Sequence, residues 1–166
     1  MTRSAARELA VLICASLAPG EGAEAVERFF EPEHYATLSS EGPQFAETPD
    51  RRQMAYIHSL VETVTAHRTE TDEIIRRHAH GWRPERLSRT AGAILRSAIC
   101  EILYIPDVPA GAAINEAVEL AKKYGDEEAP RFINGVLGGF VRGMDAAPEA
   151  PAEPEDAPEP DGRPEE

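Results

Sequence analysis

Apolar residues recur along this chain every three to four positions, the spacing that one face of an α-helix requires. The first such segment predicts a helix from Ser4 to about Leu17, with Ser4 as its N-cap and Pro19-Gly20 beyond its end. No stretch shows the strict alternation of a half-buried strand, so the pattern favours helices throughout. The apolar stripe of the first helix comprises Leu9, Leu12, Ile13 and Leu17.

The rest of the N-terminal half predicts a short helix, a loop and a longer helix. Val26 and the Phe29-Phe30 pair belong to the short helix. A loop is predicted from about Glu31 to Thr48, because prolines and an SSEG stretch crowd this region, and its length indicates a mobile or functional segment. Thr48 and Pro49 are then expected at the N-cap and the first position of the next helix. The apolar face of that helix comprises Met54, Ile57, Val61 and Val64.

The C-terminal half predicts four further helices. One spans about Glu70 to His80, and the next opens at Pro84 and is apolar over more than half its circumference, which places it at the centre of the core. The link IPDVP leads to a helix that ends at Gly125, and Asp126 caps the last one. The chain is therefore predicted to be all-α, with about seven helices in two packed helical subdomains.

Charge divides the chain at Asp145. Residues 145–166 are rich in Pro, Ala and Glu and hold nine acids against one arginine, a net charge of −8. The preceding 144 residues hold 21 acids and 16 bases, a net charge of −5. Residues 1–144 are thus predicted to form one helical domain and residues 145–166 a disordered acidic tail. This domain charge is compatible with a nucleic-acid partner, but not with indiscriminate electrostatic binding.

The composition of the chain indicates the cellular compartment in which the protein acts. No apolar run approaches the roughly 20 residues that a membrane-spanning helix needs, and the N-terminus lacks the pattern of a signal peptide. Cys14 and Cys100 fall in apolar helical stripes and are expected to be buried free thiols, not a disulfide or a metal site. These features predict a cytoplasmic protein without a membrane partner.

The residues that catalysis or metal binding would need do not occur at suitable spacing. His78 and His80 would project roughly 200° apart on a helix, and His58 and His67 would lie about 13 Å apart along one. No HExxH, nucleophile elbow or phosphate-binding glycine loop occurs. The sequence predicts no metal, no cofactor and no enzymatic activity, and a helical metalloenzyme that uses the histidines and Glu116 is a remote alternative.

The pair Asn115-Glu116 lies in the first turn of the helix after IPDVP and is interpreted as structural. Glu116 is expected to pair with Arg96 of the central helix, and Asn115 to hydrogen-bond the chain near the link. Contact with a partner is the alternative interpretation.

The last helix contains three glycines, which share a face with Arg131 and Arg142. Glycine inside a helix costs roughly 0.5–1 kcal/mol relative to alanine. Three glycines on one face therefore indicate that this face must lack side chains for a structural or functional reason. It is either a close helix crossing or a flat surface for a ligand or partner backbone. The glycines are Gly135, Gly138 and Gly139.

The order and spacing of four C-terminal segments resembles that of the NusB family of bacterial transcription antitermination factors. The segments are WRPERLSRTAGAILRSAICEIL from Trp82, DVP from Asp107, AINEAVELAKKYG from Ala113 and RFINGVL from Arg131. AARELAV, from Ala5, is similar to the start of the family's first helix. The run INEAVELAKKYG followed by FINGVL is specific, whereas the region between Pro19 and about His80 matches only as helices of suitable length.

The resemblance implies a non-enzymatic RNA-binding factor built from two packed helical halves. Such a protein pairs with a small-subunit ribosomal protein, called NusE in its transcription role. The heterodimer binds the single-stranded boxA element of nascent RNA within the RNA polymerase antitermination complex, and it keeps transcription of ribosomal RNA operons processive. The free protein is expected to form a homodimer if its partner face is apolar.

The resemblance also implies which residues contact RNA. They lie at the start of the first, central and last helices, and they are Arg3, Arg7, Glu85, Glu128, Arg131 and Phe132. Arginine neutralises phosphate, a carboxylate accepts from base amino groups, and an aromatic ring stacks on a base. Core packing is the other interpretation of Phe132, and Asn134 of FINGVL is grouped with the structural residues.

Two features depart from the family's pattern. The first helix offers only two arginines where the family often has a dense cluster, and Cys14-Ala15 replaces a tyrosine common near the end of that helix. Fewer phosphate contacts lower RNA affinity. The alternative prediction is therefore a NusB-like protein-interaction module with weak or lost RNA binding.

Overall fold

The computed structural model describes residues 1–80 and 87–145, which contain eight α-helices, one 3-10 helix and no strand. The all-α prediction is confirmed, with one helix more than the seven expected. The division of the chain at residue 145 stays a prediction, since residues 146–166 lie outside the described ranges. The helices are α1 (Arg3–Ser16), α2 (Ala23–Phe29), α3 (Pro32–Leu38), α4 (Arg51–Ala66), α5 (Arg68–His78), α6 (Arg89–Tyr104), α7 (Ala110–Tyr124) and α8 (Ala129–Asp145), and the 3-10 helix is Pro43–Phe45.

Helix α6 lies at the centre of the bundle, as its apolar circumference predicts. It contacts α1, α4, α5, α7 and α8, and nearly all of its first three turns are buried. Helix α1 also packs against α4, and α7 packs against α8. One continuous apolar cluster joins the two halves of the chain. None of the helices described is long and apolar enough to cross a membrane.

Helices α1 and α6 begin at residues other than those predicted. The N-cap of α1 is Thr2 and not Ser4, which lies inside the helix. Helix α6 begins at Arg89 with Ser88 as its N-cap, whereas the predicted start at Pro84 lies outside the described residues. Several hydroxyl side chains stand near each start, and the cap is the one whose backbone is extended and whose oxygen reaches an N–H of the first turn.

Helix α4 is capped by Asp50, so the predicted Thr48 cap with Pro49 at the first position is wrong. The Asp50 carboxylate accepts from the N–H of Gln53 at 2.8 Å, and the Gln53 side chain accepts from the N–H of Asp50 at 2.8 Å. This reciprocal capping box satisfies two N–H donors at once, which a threonine two residues earlier cannot do.

The predicted loop from Glu31 to Thr48 contains helix α3, so the prediction is wrong in that respect. Pro32 occupies the first helical position, where its fixed φ suits a helix and its missing N–H costs nothing. Tyr35 is buried, and its hydroxyl donates to the carbonyl oxygen of Glu47 at 2.7 Å. An aromatic cluster stabilises the segment, since the Tyr35 ring centroid lies 5.2 to 6.3 Å from those of Phe29, Phe30 and Phe45.

The two cysteines are free and buried, as predicted. Burial raises the pKa of the Cys14 thiol to about 12 and that of the Cys100 thiol to about 12. Both side chains therefore stay protonated and act as small apolar groups of the core.

Candidate nucleic-acid interface

Glu128, which directly precedes α8, and exposed residues in the first two turns of that helix form a polar surface. Asp126 accepts from the N–H groups of Glu128 at 3.0 Å and Ala129 at 2.9 Å, so it caps the helix as predicted. Glu128, Arg131 and Asn134 are exposed at successive intervals of three residues, which places them on neighbouring positions of the helix surface. Phe132 is half-buried and packs against the core. We call Glu128, Arg131, Asn134 and Gly135 the α8 surface.

The glycine face of α8 serves two purposes. Gly135 is exposed, and a Cβ there would meet no atom within 4 Å. At Gly138, the nearest atom to an added Cβ is Nη1 of Arg142 at 3.2 Å. Gly139 instead faces α5, because its Cβ would lie 3.2 Å from Nδ1 of His78. Gly139 thus permits a close helix crossing, whereas Gly135 leaves open backbone beside Arg131.

The end of α7 fixes the chain just ahead of α8. Glu8 of α1 accepts from Nζ of Lys123 at 2.5 Å and from the hydroxyl of Tyr124. Burial and the bond to Glu8 raise the pKa of Tyr124 above its ordinary value. These contacts hold the end of α7 against α1, and with it the start of the α8 surface.

Arg3 is an exposed arginine at the first position of α1. Its guanidinium carbon lies 3.8 Å from the centroid of the Tyr56 ring, a cation–π geometry that orients the side chain against α4. Arg3 therefore remains available to an anionic partner.

Arg7 belongs to the core and not to the predicted RNA surface. Its Nε and Nη2 donate to the two carboxylate oxygens of Glu101 at 2.6 and 2.8 Å. Glu101 is 1% exposed and also accepts from the hydroxyl of Tyr56 at 2.6 Å. Burial opposes the charge on Arg7, but the bond to Glu101 and the nearby carboxylates raise its pKa above the ordinary value. A guanidinium held in this way has no free fork for a phosphate.

The predicted pair between Glu116 and Arg96 is wrong. Glu116 accepts from the hydroxyl of Ser4 at 2.6 Å and lies 3.6 Å from Nη1 of Arg7, so it joins α7 to α1. Arg96 donates through Nε to Asp72 of α5 at 2.7 Å. The Glu116 carboxylate links α7 to α1, and the Arg96 guanidinium links α6 to α5. Helical spacing in the sequence did not indicate the partner of either side chain.

The side chains of Asn115 and Asn134, the two asparagines predicted to be structural, are both exposed. The Asn115 side chain is exposed and forms no hydrogen bond with residues 1–80 or 87–145, so the predicted bond near the link is wrong. Asn134 is exposed in the same way and is better described as part of the α8 surface than as a structural residue. Glu85 lies outside the described residues.

Sequence patterns missed the importance of Glu101. The signal is present in the chain, because Glu101 is the one carboxylate within the apolar run Ile99-Cys100-Glu101-Ile102. A carboxylate in a buried stripe requires a cation or several donors nearby. The sequence could thus have predicted a buried cation, although not which one.

Three of the five histidines contact an aromatic ring, and they are His34, His67 and His78. His67 stacks on Tyr104 with ring centroids 4.0 Å apart, and its Nδ1 lies 3.0 Å from a Glu70 oxygen. The hydrogen bond from Tyr104 lowers the pKa of Glu70. In this part of the chain, no three His, Cys, Asp or Glu side chains are grouped to hold a metal ion.

Comparison with known proteins places this helical bundle in one family. The model of the NusB family matches residues 4–142, and the chain belongs to that family. A transcription antitermination protein NusB from Carboxydothermus hydrogenoformans is 39% identical over 147 residues, 87% of this chain and 96% of that protein. The Symbiobacterium thermophilum protein is 40% identical over 89% of this chain and 94% of its own. The Myxococcus xanthus protein is 47% identical over 53% of this chain, a match spanning 63% of that protein.

Solved structures share the fold. NusB of T. maritima superposes with a TM-score of 0.63 at 26% identity, covering 86% of this chain and 92% of that one. A chain from a complex of the antitermination factors NusB and NusE with double-stranded RNA gives a TM-score of 0.61 at 27% identity, covering 85% and 96%.

Proposed function

We propose that this chain is a transcription antitermination factor that binds single-stranded boxA-type RNA together with the small-subunit ribosomal protein NusE. In this role it acts in the cytoplasm within the RNA polymerase antitermination complex, without enzymatic activity, and promotes processive transcription of ribosomal RNA operons. Membership of the NusB family over residues 4–142 supports the proposal, as does the relative solved with NusE and RNA.

The exposed α8 surface is the observation that carries the proposal. Arg131 supplies a positive charge for phosphate, Glu128 an acceptor for base amino groups, and Asn134 both a donor and an acceptor for base edges. The open backbone at Gly135 lets a strand approach the helix closely. This combination suits single-stranded RNA, whose bases are free to be read.

Fluorescence anisotropy tests the proposal. A labelled boxA-type RNA and a scrambled RNA are titrated with the full chain, with and without NusE, at two salt concentrations. We expect NusE to favour boxA over the scrambled RNA. Arg131→Gln should weaken boxA binding about 5- to 10-fold and reduce the salt slope by about 0.7, the value for one phosphate contact on a single strand.

Arg52→Gln is the matched control, because Arg52 is an exposed arginine at the start of α4. It should leave both the affinity and the salt slope unchanged. Equal affinity for boxA and scrambled RNA in the presence of NusE contradicts the proposal.

The burial of Arg7 favours a second candidate function. With Arg7 bound to Glu101, Arg3 is the one arginine that α1 exposes. One exposed arginine on α1 is enough for a protein-interaction module that binds NusE and contacts RNA only weakly. Tight NusE binding, with RNA binding that is weak, unselective and indifferent to Arg131→Gln, would identify this function.

A further inference from the structure

A cleft of about 610 Å³ opens between the end of α1, the junction of α4 with α5 and the start of α6. Arg68, Arg89 and Arg96 line it, in a chain whose net charge is −13. The one acid among its described lining residues is Glu21, which already accepts from Arg28 at 2.9 Å. The cleft is therefore a concentration of positive charge in an acidic protein.

Arg96 is the buried member of this cluster. Its side chain is 10% exposed, and only Nε has an acceptor among the described residues, Asp72 at 2.7 Å. Gly92 makes room for the guanidinium, because a Cβ there would lie 2.6 Å from Nη1. The two Nη groups of Arg96 line the cleft and have no acceptor among the described residues, so they remain available to an anion there.

The start of α6 adds further donors. Ser88 caps the helix by accepting from the N–H of Ala91 at 3.1 Å, whereas the N–H groups of Arg89 and Thr90 have no acceptor within the described ranges. The Arg89 side chain is exposed. A 16-residue helix also presents the positive end of its dipole at this point.

The charges around the cleft do not cancel. Asp72 lies 2.7 Å from Nε of Arg96 and 3.6 Å from Nε of Arg68, so one carboxylate serves two guanidinium groups. Arg89 forms no ion pair with the described residues. Three positive charges against one negative charge leave a local excess of positive charge, which favours an anionic phosphate group.

We propose that this cleft binds the phosphate group of a nucleotide-sized ligand, held by Arg96, Arg89 and the first-turn N–H groups of α6. Guanidinium forks and helix N-termini both match the oxygens of phosphate, and the volume falls in the range of small-molecule sites. The phosphate belongs either to a free nucleotide or to a phosphodiester of bound RNA. Only the second source rests on the proposed function.

Inorganic phosphate is the probe for the site itself. The full chain is titrated with phosphate, and with chloride at equal ionic strength, while NMR follows the backbone amides of Arg89 and Thr90. We expect saturable shifts with phosphate alone. Arg89→Gln should weaken phosphate about 5- to 10-fold, and Arg52→Gln should leave it unchanged.

Gly92→Ala is the sharper variant, because it keeps every charge while displacing the guanidinium of Arg96. It should weaken phosphate at least about 3-fold, while circular dichroism shows that the helix content is unchanged. An affinity that falls in Arg89→Gln but not in Gly92→Ala would indicate general electrostatic attraction and overturn the proposal.

Binding of the labelled RNA to the two variants distinguishes the two sources of the phosphate group. If phosphate saturates the cleft and both variants bind RNA normally, the ligand is a free phosphate or nucleotide. If phosphate does not saturate but both variants weaken RNA, the ligand is a phosphodiester. If neither phosphate nor RNA responds to the variants, the proposal is wrong. Since the scrambled-RNA comparison does not involve these variants, failure of the proposed function is recognised independently.

Discussion

Arg7 and Arg131 have the same predicted role, and the protein uses them in opposite ways. Arg7 is 8% exposed and holds a carboxylate 94 residues away in the chain, whereas Arg131 projects from α8 into solvent. The difference lies in what faces each position. Arg7 faces Glu101 on α6, and Arg131 faces no part of the core. An arginine near a helix start therefore acquires its role from a tertiary partner, not from its place in the helix.

Burial also changes what each arginine contributes to stability. The Arg7–Glu101 pair loses its hydration, and the protein compensates with a bidentate bond and the Tyr56 hydroxyl. Removing one member leaves a buried charge without its counter-ion. An exposed arginine such as Arg131 leaves nothing behind when it is removed, because water solvates its surroundings.

The largest effect is expected for Arg7→Met. It should lower the free energy of unfolding by about 3–5 kcal/mol, since Glu101 then stays buried with only Tyr56 as donor. Urea unfolding followed by circular dichroism measures the loss. Arg131→Met is the matched control and should change stability by less than about 0.5 kcal/mol.

The contrast between Arg7 and Arg131 is contradicted if Arg7→Met is as stable as the unmodified protein yet binds RNA poorly.

A double variant tests the contribution of the Arg7–Glu101 ion pair directly. Arg7→Met with Glu101→Leu removes both charges, so it should be more stable than Arg7→Met alone. A double variant that loses the sum of the two single losses would show that the ion pair itself is not responsible.

The same contrast explains what the sequence predicts well. The position of α6 follows from apolar residues over more than half its circumference, which is a local property of residues 89–104. The Asp126 cap is local too. The pairing of Arg7 with Glu101, and of Arg96 with Asp72, depends on how distant helices cross, and periodicity carries no information about that. Helix α3 was missed because its stability comes from rings at positions 29, 30 and 45, outside the segment itself.

A smaller change in stability is expected when alanine replaces either of two glycines of α8, with a gain at one site and either no gain or a loss at the other. Gly135→Ala should raise stability by roughly 0.5–1 kcal/mol, because alanine favours the helix and the space at 135 is open. Gly139→Ala should lose this gain or destabilise the protein, since its Cβ would lie 3.2 Å from His78. Thermal unfolding of both variants measures the difference. Equal stabilisation at both sites would show that α5 and α8 do not cross closely at Gly139.

The smallest effect is a pH dependence of the free energy of unfolding, which arises where α5 and α8 cross at His78 and Gly139. Burial, followed by the positive charges of His80, Arg77 and Arg142, lowers the pKa of His78 below its ordinary value of 6.5. The unfolded chain therefore binds a proton at a higher pH than the folded protein does. Stability from the neutral imidazole is fully present above about pH 6.5 and is lost as the pH falls through the folded pKa.

Urea unfolding of the unmodified protein and of His78→Gln, between pH 5 and 8, isolates this contribution. The unmodified protein should lose stability relative to the variant only on the acid side of about pH 6.5. Added salt should reduce the loss but not abolish it, because salt screens the three positive charges and leaves the burial of the ring unchanged. A relative stability that rises as the pH falls would mean that His78 is stabilised as a cation, which would contradict the close packing of its ring against Gly139.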